Sequence, residues 1–293
     1  MIARNLFVLV LIAGAQCASA TPVFQVVGQG GEGPFNQSSS SFLSRASNLE
    51  GSYTDPNTGY SNGSANNAYA AAGPGGLRAD ANSWVLNDSP VGANGNINSA
   101  AAAYMNLDDV IIGGPAGAMI STSFRTHVSG TLEASTSLQA MTSGASATVS
   151  VRLEGNGKLL NDGTAVVRNG QGQTGIGLLQ NFTGSNDLTS DPFTVTANQA
   201  FAIGLQLSVG AFSALASDET GISSAAAHFG NSLTFVTDGP VFDLPAGYTA
   251  NSVSGNIIDN HFVASAVPLP AAVWLLGTGC LGLFGWSRRK ATV

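Results

Sequence analysis

A strict two-residue periodicity in the middle of the chain constrains the fold more than any other feature. The apolar residues Phe201, Ile203, Leu205, Leu207 and Val209 alternate with small or polar residues. Because successive side chains of a β-strand point to opposite faces, this pattern predicts a strand with one buried and one wet face. No segment shows the three-to-four-residue spacing of an amphipathic helix, so a helical bundle or coiled coil is disfavoured.

Shorter segments repeat this alternation and are separated by turn residues. Val149, Val151 and Leu153 alternate with polar residues before a predicted turn at 155–157. Residues 193–196 and the strand from 201 predict a hairpin across 197–199. Further strands are predicted at 121–128, 130–138, 164–168, 232–236 and 252–258, and further turns at 161–163, 169–170 and 238–240. The pattern predicts an all-β fold, an antiparallel and jelly-roll-like β-sandwich.

The stretch 35–104 has a different composition, dominated by Ser, Asn, Gly and Ala. Such residues bury little apolar surface, so we expect a loop-rich, low-complexity region around a few weak strands. Only 9% of the chain is charged, against about 25% in an ordinary soluble domain.

The first twenty residues have the layout of a signal peptide. Arg4 supplies a positive charge, and the uncharged run 6–15 that follows is too short to span a bilayer. Ala18 and Ala20 are the small residues that a signal peptidase inspects. Cleavage before Thr21 is therefore predicted.

The last residues predict one transmembrane helix. The stretch 267–286 has no charge and would be about 30 Å long as a helix, which matches a hydrocarbon core. The basic residues Arg288, Arg289 and Lys290 then act as a stop-transfer signal and remain cytoplasmic, so the preceding chain faces outward.

The C-terminal pattern resembles a known sorting signal. The motif Val267, Pro268, Leu269, Pro270 and Ala271, the apolar helix and the basic cluster together resemble the VPLPA variant of the PEP-CTERM signal, over residues 267–290. The resemblance implies that an exosortase, a membrane cysteine protease-transpeptidase, recognises the motif and removes the tail. It also implies a Gram-negative source that makes extracellular polysaccharide and biofilm. The segment 229–249 is similar to one common before this signal, where it closes the β-sandwich.

The ectodomain left between the ends, 21–266, is acidic and lacks thiols. All 17 acidic residues lie within it, whereas Cys17 and Cys280 lie outside. The composition therefore disfavours a disulfide scaffold, a catalytic cysteine and a nucleic-acid partner.

The sequence predicts no enzyme and no cofactor site. It contains no G-x-S-x-G nucleophile elbow, although His127, His228 or His261 could in principle pair with a serine and an aspartate. Two G-x-G-x-x-G matches, at 28–33 and 170–175, are interpreted as loops because no helix follows them.

No metal ligand is assigned from the sequence. Zinc is disfavoured because the three histidines are far apart in the chain. Calcium is the better candidate metal, since the ectodomain is acidic. Its possible contributors are Asp108-Asp109, Asn161-Asp162-Gly163 and Asp259-Asn260, although Asp and Asn at turns commonly bond their own backbone.

These observations lead to one expected function and one alternative. We expect an exported, exosortase-processed protein with a structural or adhesive, non-enzymatic role in polysaccharide or biofilm. It would pass through the inner membrane with a periplasmic ectodomain and finish at the cell surface or outside the cell. The alternative is a carbohydrate-binding or carbohydrate-active domain that uses aromatic platforms. The aromatic residues available to it are Trp84, Tyr53, Tyr60, Tyr69 and Tyr104.

Overall fold

The computed structural model describes residues 23–30, 33–39, 43–54, 61–73, 76–88, 95–137, 144–215 and 220–263. All regular secondary structure in these residues is β-strand, and the paired strands are antiparallel, which confirms the predicted all-β class. The strands are β1 (Val23–Gly30), β2 (Gly33–Ser39), β3 (Leu43–Thr54), β4 (Ser61–Gly73), β5 (Gly76–Asn87), β6 (Gly95–Gly113), β7 (Met119–Thr122), β8 (Arg125–Ser129), β9 (Thr131–Thr136), β10 (Gly144–Gly155), β11 (Lys158–Arg168), β12 (Thr174–Gly177), β13 (Ser185–Thr189), β14 (Phe193–Thr196), β15 (Ala200–Leu215), β16 (Gly221–Phe235), β17 (Thr249–Ser252), β18 (Ile257–Ile258) and β19 (His261–Phe262).

Fifteen of the described strands form two large sheets that share one core, and β7 with β14 and β18 with β19 form two small sheets. The eight-stranded sheet has the order β12-β11-β10-β15-β6-β1-β2, and β17 pairs with β6. The seven-stranded sheet has the order β13-β8-β16-β5-β4-β3, and β9 pairs with β16. Strands β6 and β15 of the first sheet pack on β5 of the second, and the buried apolar residues between them form one cluster.

Strand β15 contains the two-residue alternation from Phe201 to Val209 that predicted a β-fold. Leu205, Leu207 and Val209 are buried in the core, whereas Gln206 and Ser208 lie half-buried on the outer face. The prediction of one buried face is confirmed. The strand pairs with β10 on one side and β6 on the other, so it lies in the middle of its sheet.

The described parts of 35–104, predicted to be loop-rich, contain long strands instead. Strands β3, β4, β5 and the first part of β6 lie in this stretch. Alanine explains the difference, because Ala68 and Ala70 of β4 and Ala79 and Ala81 of β5 are buried between the sheets. Because alanine side chains are this small, the two sheets can pack closely against each other. Each strand is therefore held in the sandwich although each residue buries little apolar area.

The hairpin predicted for 193–209 is wrong. Strand β14 pairs with β7, whereas β15 pairs with β6 and β10. Between β14 and β15, the amide of Ala197 donates to the carbonyl of Ala118, and the amide of Asn198 donates to that of Ile112. Alternation specifies a strand but not its partner, which is why the sequence misassigned this pair.

Two turn predictions had opposite outcomes. The turn at 155–157 is confirmed, with Asn156 and Gly157 at positive φ of 52° and 72° between β10 and β11, as a two-residue hairpin requires. Residues 161–163, predicted as a turn, lie inside β11. Gly163 is needed there because a Cβ would lie 2.5 Å from the amide nitrogen of Leu179.

A phenylalanine cluster fills part of the core. The ring of Phe124 meets Phe193, Phe235 and Phe242 in edge-on geometry, with centroids 6.2 to 6.3 Å apart. Phe124 and Phe242 also form a backbone bridge. This cluster connects the segment after β16 to the strands before β9.

Candidate functional site

A groove of about 720 Å³ crosses the outer face of the eight-stranded sheet. Residues of β1, β6, β15, β10 and β11 line it. Because neighbouring strands lie about 4.8 Å apart, the four spacings from β1 to β11 give the groove a length of roughly 19 Å. Its long direction therefore runs across the strands, and its volume is within the range of ligand sites.

The floor of the groove consists of small side chains. Ala102, Ser208, Ser150 and Thr164 follow one another in register across β6, β15, β10 and β11. Short side chains leave open volume above the backbone. In the sequence, this site shows only as small residues at the polar positions of the alternating strands. From the sequence alone, these positions predicted a solvent-exposed face but no groove.

A row of larger polar side chains borders the floor. Tyr104, Gln206, Arg152 and Asp162 are in register across the same four strands, one row from the small residues. Arg152, Gln206 and Asp162 line the groove. This border offers amide, guanidinium and carboxylate groups to a ligand.

The buried carboxylate of Glu154 contacts two residues of the polar border, Arg152 and Tyr104. Its side chain is 7% exposed, and its Oε1 lies 2.7 Å from Nε of Arg152, which is 38% exposed. The Tyr104 hydroxyl donates a hydrogen bond to Glu154. A Cβ on Gly204 would lie 3.1 Å from the Tyr104 hydroxyl and 3.3 Å from Oε2 of Glu154, so glycine leaves room for this contact.

Burial raises the pKa of Tyr104 to about 12. The negative charge of Glu154 and its hydrogen bond add to the rise in pKa, whereas the positive charge of Arg152 opposes it. Tyr104 is therefore a neutral hydrogen-bond donor at physiological pH. It holds Glu154 in place rather than acting as a base.

One polar atom at the border has no hydrogen-bond partner among the described residues. The amide nitrogen of Gln206 donates to the hydroxyl of Ser208 over 3.1 Å, while Oε1 of Gln206 is buried with no hydrogen-bond partner. Nε of Arg152 is in the ion pair with Glu154, whereas the side chain as a whole is 38% exposed and lines the groove. The exposed part of the guanidinium is therefore available to a polar ligand.

The aromatic residues of the carbohydrate hypothesis do not form one platform. Trp84 lies on β5, where Ser83 and Val85 on either side are buried, so its half-buried ring is on the outer face of the seven-stranded sheet. Tyr69 shares that face, on β4. Tyr104 is on the outer face of the other sheet. Tyr60 and the side chain of Tyr53 lie outside the described parts of the chain.

One predicted histidine meets both a serine and an aspartate. Nδ1 of His127 on β8 lies 2.6 Å from Oδ1 of Asp187 on β13, and its Nε2 lies 3.2 Å from the hydroxyl of Ser185. This connectivity is that of a Ser-His-Asp triad. The Asp187 side chain, however, is 75% exposed, and none of these three residues lines the groove. A solvated carboxylate orients and stabilises a histidine weakly, so we interpret the contact as a cross-strand surface pair.

The other candidates from the sequence are dispersed. His228 lies 3.6 Å from Asp80, and His261 is exposed on β19. Asp259 and Asn260 form the turn between β18 and β19 at positive φ, and the Asn260 side chain bonds the backbone of Phe242. Across the described ranges, no three His, Cys, Asp or Glu side chains lie together as metal ligands.

The remaining calcium candidates occupy two separate strands. Asn161 of β11 donates its amide to the carbonyl of Thr189 and to Asp191. Asp162 is in the groove border. Asp108 and Asp109 are in β6.

The two glycine-rich motifs belong to β-structure. Residues 28–33 include the end of β1 and the start of β2, and residues 170–175 lead from a turn into β12. Gly170 has a positive φ of 69°, as expected for a turn. In the described residues no helix follows either motif, so neither provides the helix N-terminus of a dinucleotide site.

The predicted export signals lie outside the described residues. They are Ala18 and Ala20, the motif 267–271 and the basic residues 288–290. Within the described part of the chain, no helix has the length and apolarity to cross a bilayer.

Comparisons with protein-family models, with curated proteins and with solved structures found no match to this chain.

Proposed function

We propose that this chain is an exported, non-enzymatic protein with a structural or adhesive role in extracellular polysaccharide or biofilm. We propose further that the groove of the eight-stranded sheet is the surface that holds polysaccharide. The groove is the observation that supports this proposal, because adhesion requires a surface that can contact an extended polymer along its length.

The chemistry of the groove supports a sugar ligand. Sugar hydroxyls both donate and accept hydrogen bonds, and the border presents the guanidinium of Arg152 and the exposed carboxylate of Asp162. The small floor lets a ring lie close to the backbone. The groove also crosses five strands, which favours an extended chain over a compact small molecule.

A pair of matched variants tests the groove. Ser208→Trp fills the floor, whereas Ser224→Trp places the same side chain on the outer face of the seven-stranded sheet. In a polysaccharide pull-down with the purified full chain, Ser208→Trp should lose binding and Ser224→Trp should keep it. Equal binding by both variants would contradict the groove as the binding surface.

Trp84 tests the competing aromatic platform. Because Trp84 lies on the opposite sheet, Trp84→Ala should leave polysaccharide binding unchanged. If Trp84→Ala loses polysaccharide binding and Ser208→Trp keeps it, the binding site is on the seven-stranded sheet instead. Release of sugar from the bound polymer would instead favour the carbohydrate-active alternative.

We also propose that the fold is a β-sandwich of the jelly-roll-like kind. The chain changes sheets repeatedly, from β5 to β6, from β9 to β10, from β12 to β13 and from β15 to β16. Such crossings are typical of sandwiches with long connections between sheets. Hairpins such as β10–β11 alternate with these crossings.

The processing proposal rests on the ends of the sequence. Signal peptidase would cleave before Thr21, and an exosortase-type transpeptidase would act at 267–271 after transient insertion of the C-terminal helix in the inner membrane. Mass spectrometry of the final product should find Thr21 at the N-terminus and no peptide containing Arg288. An intact C-terminus in the final product would leave a simple membrane anchor in place of the sorting signal.

A further inference from the structure

A β-bulge in β6 places two consecutive carboxylates on the same face of the sheet. Leu107 pairs with Ile203 of β15, but Val110 pairs with Phe201, so two residues of β6 face the single residue Ala202. Leu107 and Val110 are both buried in the core. Asp108 and Asp109 between them therefore both lie on the outer side, where a regular strand would place them on opposite faces.

Asp109 is buried despite its charge. The residue is 1% exposed, and the segment after β17 covers it: the amide of Ser254 donates to its Oδ2 over 2.5 Å. The amide of Val253 also donates to its backbone carbonyl. The other carboxylate oxygen, Oδ1, is buried and has no hydrogen-bond partner.

Asp108 repeats this pattern. Its Oδ1 is also buried without a hydrogen-bond partner. None of the ion pairs among the described residues involves either aspartate. These two buried carboxylate oxygens belong to consecutive residues, and neither has a hydrogen-bond donor among the described residues. A buried negative charge normally requires compensation, which a divalent cation supplies.

The covering segment adds further oxygen atoms. The Ser254 hydroxyl donates to that of Ser252 over 3.3 Å and accepts a hydrogen bond from the side-chain amide of Asn256 over 2.7 Å. The Ser252 hydroxyl also accepts the backbone amide of Ile257 over 2.8 Å. The side chains of Ser252, Ser254 and Asn256 carry hydroxyl and amide oxygens and no sulfur or imidazole group. Calcium prefers such an all-oxygen environment and tolerates irregular geometry, whereas magnesium demands near-ideal octahedral geometry.

We propose that the bulge is a calcium site, in which Asp108 and Asp109 bind Ca²⁺ and oxygens of the segment 252–256 complete the coordination. The bound ion would connect β6 to the segment that follows β17. The proposal is independent of polysaccharide binding in the groove, because it depends on a different part of the sheet.

The test uses the purified full chain after treatment with a chelator. Calorimetric titration with CaCl₂ should show one site with a dissociation constant of about 10⁻⁴–10⁻³ M, the range of extracellular calcium modules. Calcium should also raise the midpoint of thermal unfolding. Asp109→Asn and Asp108→Asn should each weaken binding by more than the roughly 10–100-fold loss that follows removal of a group which only orients the ligands.

Asp238→Asn is the matched control, because it removes one charge from an exposed turn and should bind calcium like the original chain. If Asp109→Asn fails to fold, Asp108→Asn carries the same test at a half-buried position. The proposal is overturned if the original chain shows no calcium heat and no thermal shift, or if the aspartate variants bind as tightly as Asp238→Asn. Tighter binding of MgCl₂ than of CaCl₂ would overturn the assignment to calcium.

Discussion

The raised pKa of Tyr104 predicts a loss of stability at alkaline pH. In the unfolded chain this phenol has its ordinary pKa of 10.0, whereas in the folded protein the pKa is about 12. A folded pKa above the unfolded one gives stability that is complete below pH 10 and is lost as pH rises towards 12. The two-unit difference corresponds to about 3 kcal/mol in the limit of high pH, and to about 1 kcal/mol at pH 11.

Urea unfolding of the original chain and of Tyr104→Phe isolates this contribution. The free energy of unfolding should fall between about pH 9 and pH 11 by about 1 kcal/mol more in the original chain than in Tyr104→Phe. Taking the difference between the two proteins cancels the titration of all other groups.

Two further variants should move the Tyr104 pKa in opposite directions. Glu154→Gln removes a nearby negative charge, so the phenol should ionise at lower pH. Arg152→Met removes a positive charge, so it should ionise at higher pH. Ultraviolet absorbance of the phenolate measures both shifts. If the original chain and Tyr104→Phe lose stability in parallel, or if the two neighbouring variants shift the pKa in the same direction, the reasoning is refuted.

Three other predictions concern the core and the surface. Phe124→Ala should lower the free energy of unfolding by about 3–5 kcal/mol in urea, because the ring is fully buried against three others, and a loss under about 1 kcal/mol would contradict that packing. Ser213→Ala should cost about 1–3 kcal/mol because it leaves the buried hydroxyl of Ser83 without its 2.9 Å partner, and adding Ser83→Ala should recover part of this loss in a double-mutant cycle. The full chain should not hydrolyse a chromogenic ester, and turnover that disappears in Ser185→Ala would disprove the non-enzymatic proposal.

The sequence predicted individual strands better than their partners. The alternation around Leu205 and Val149 corresponds to β15 and β10, and the turn at Asn156 connects β10 to β11. The strand at 193–196 was also expected, but its partner is β7 rather than β15. Pairing depends on residues far apart in the chain, and local alternation contains no information about them.

The candidate sites were predictable only in part. The sequence identified Asp108 and Asp109 as acidic neighbours but gave no sign of the bulge that places both on one face. It identified His127 but not its contacts with Ser185 and Asp187, which come from a strand about sixty residues further along.

The sequence alone determined the secondary-structure class, because two-residue periodicity is a local property that only a β-strand can use to bury one face. The signals predicted at both ends also depend only on contiguous residues, and they stay predictions. Tertiary structure decided where the groove lies. Ala102, Ser208 and Ser150 become the floor of one groove only because hydrogen-bond register aligns three strands distant in sequence. The same register, interrupted at one position of β6, brings two carboxylates together on the outer face.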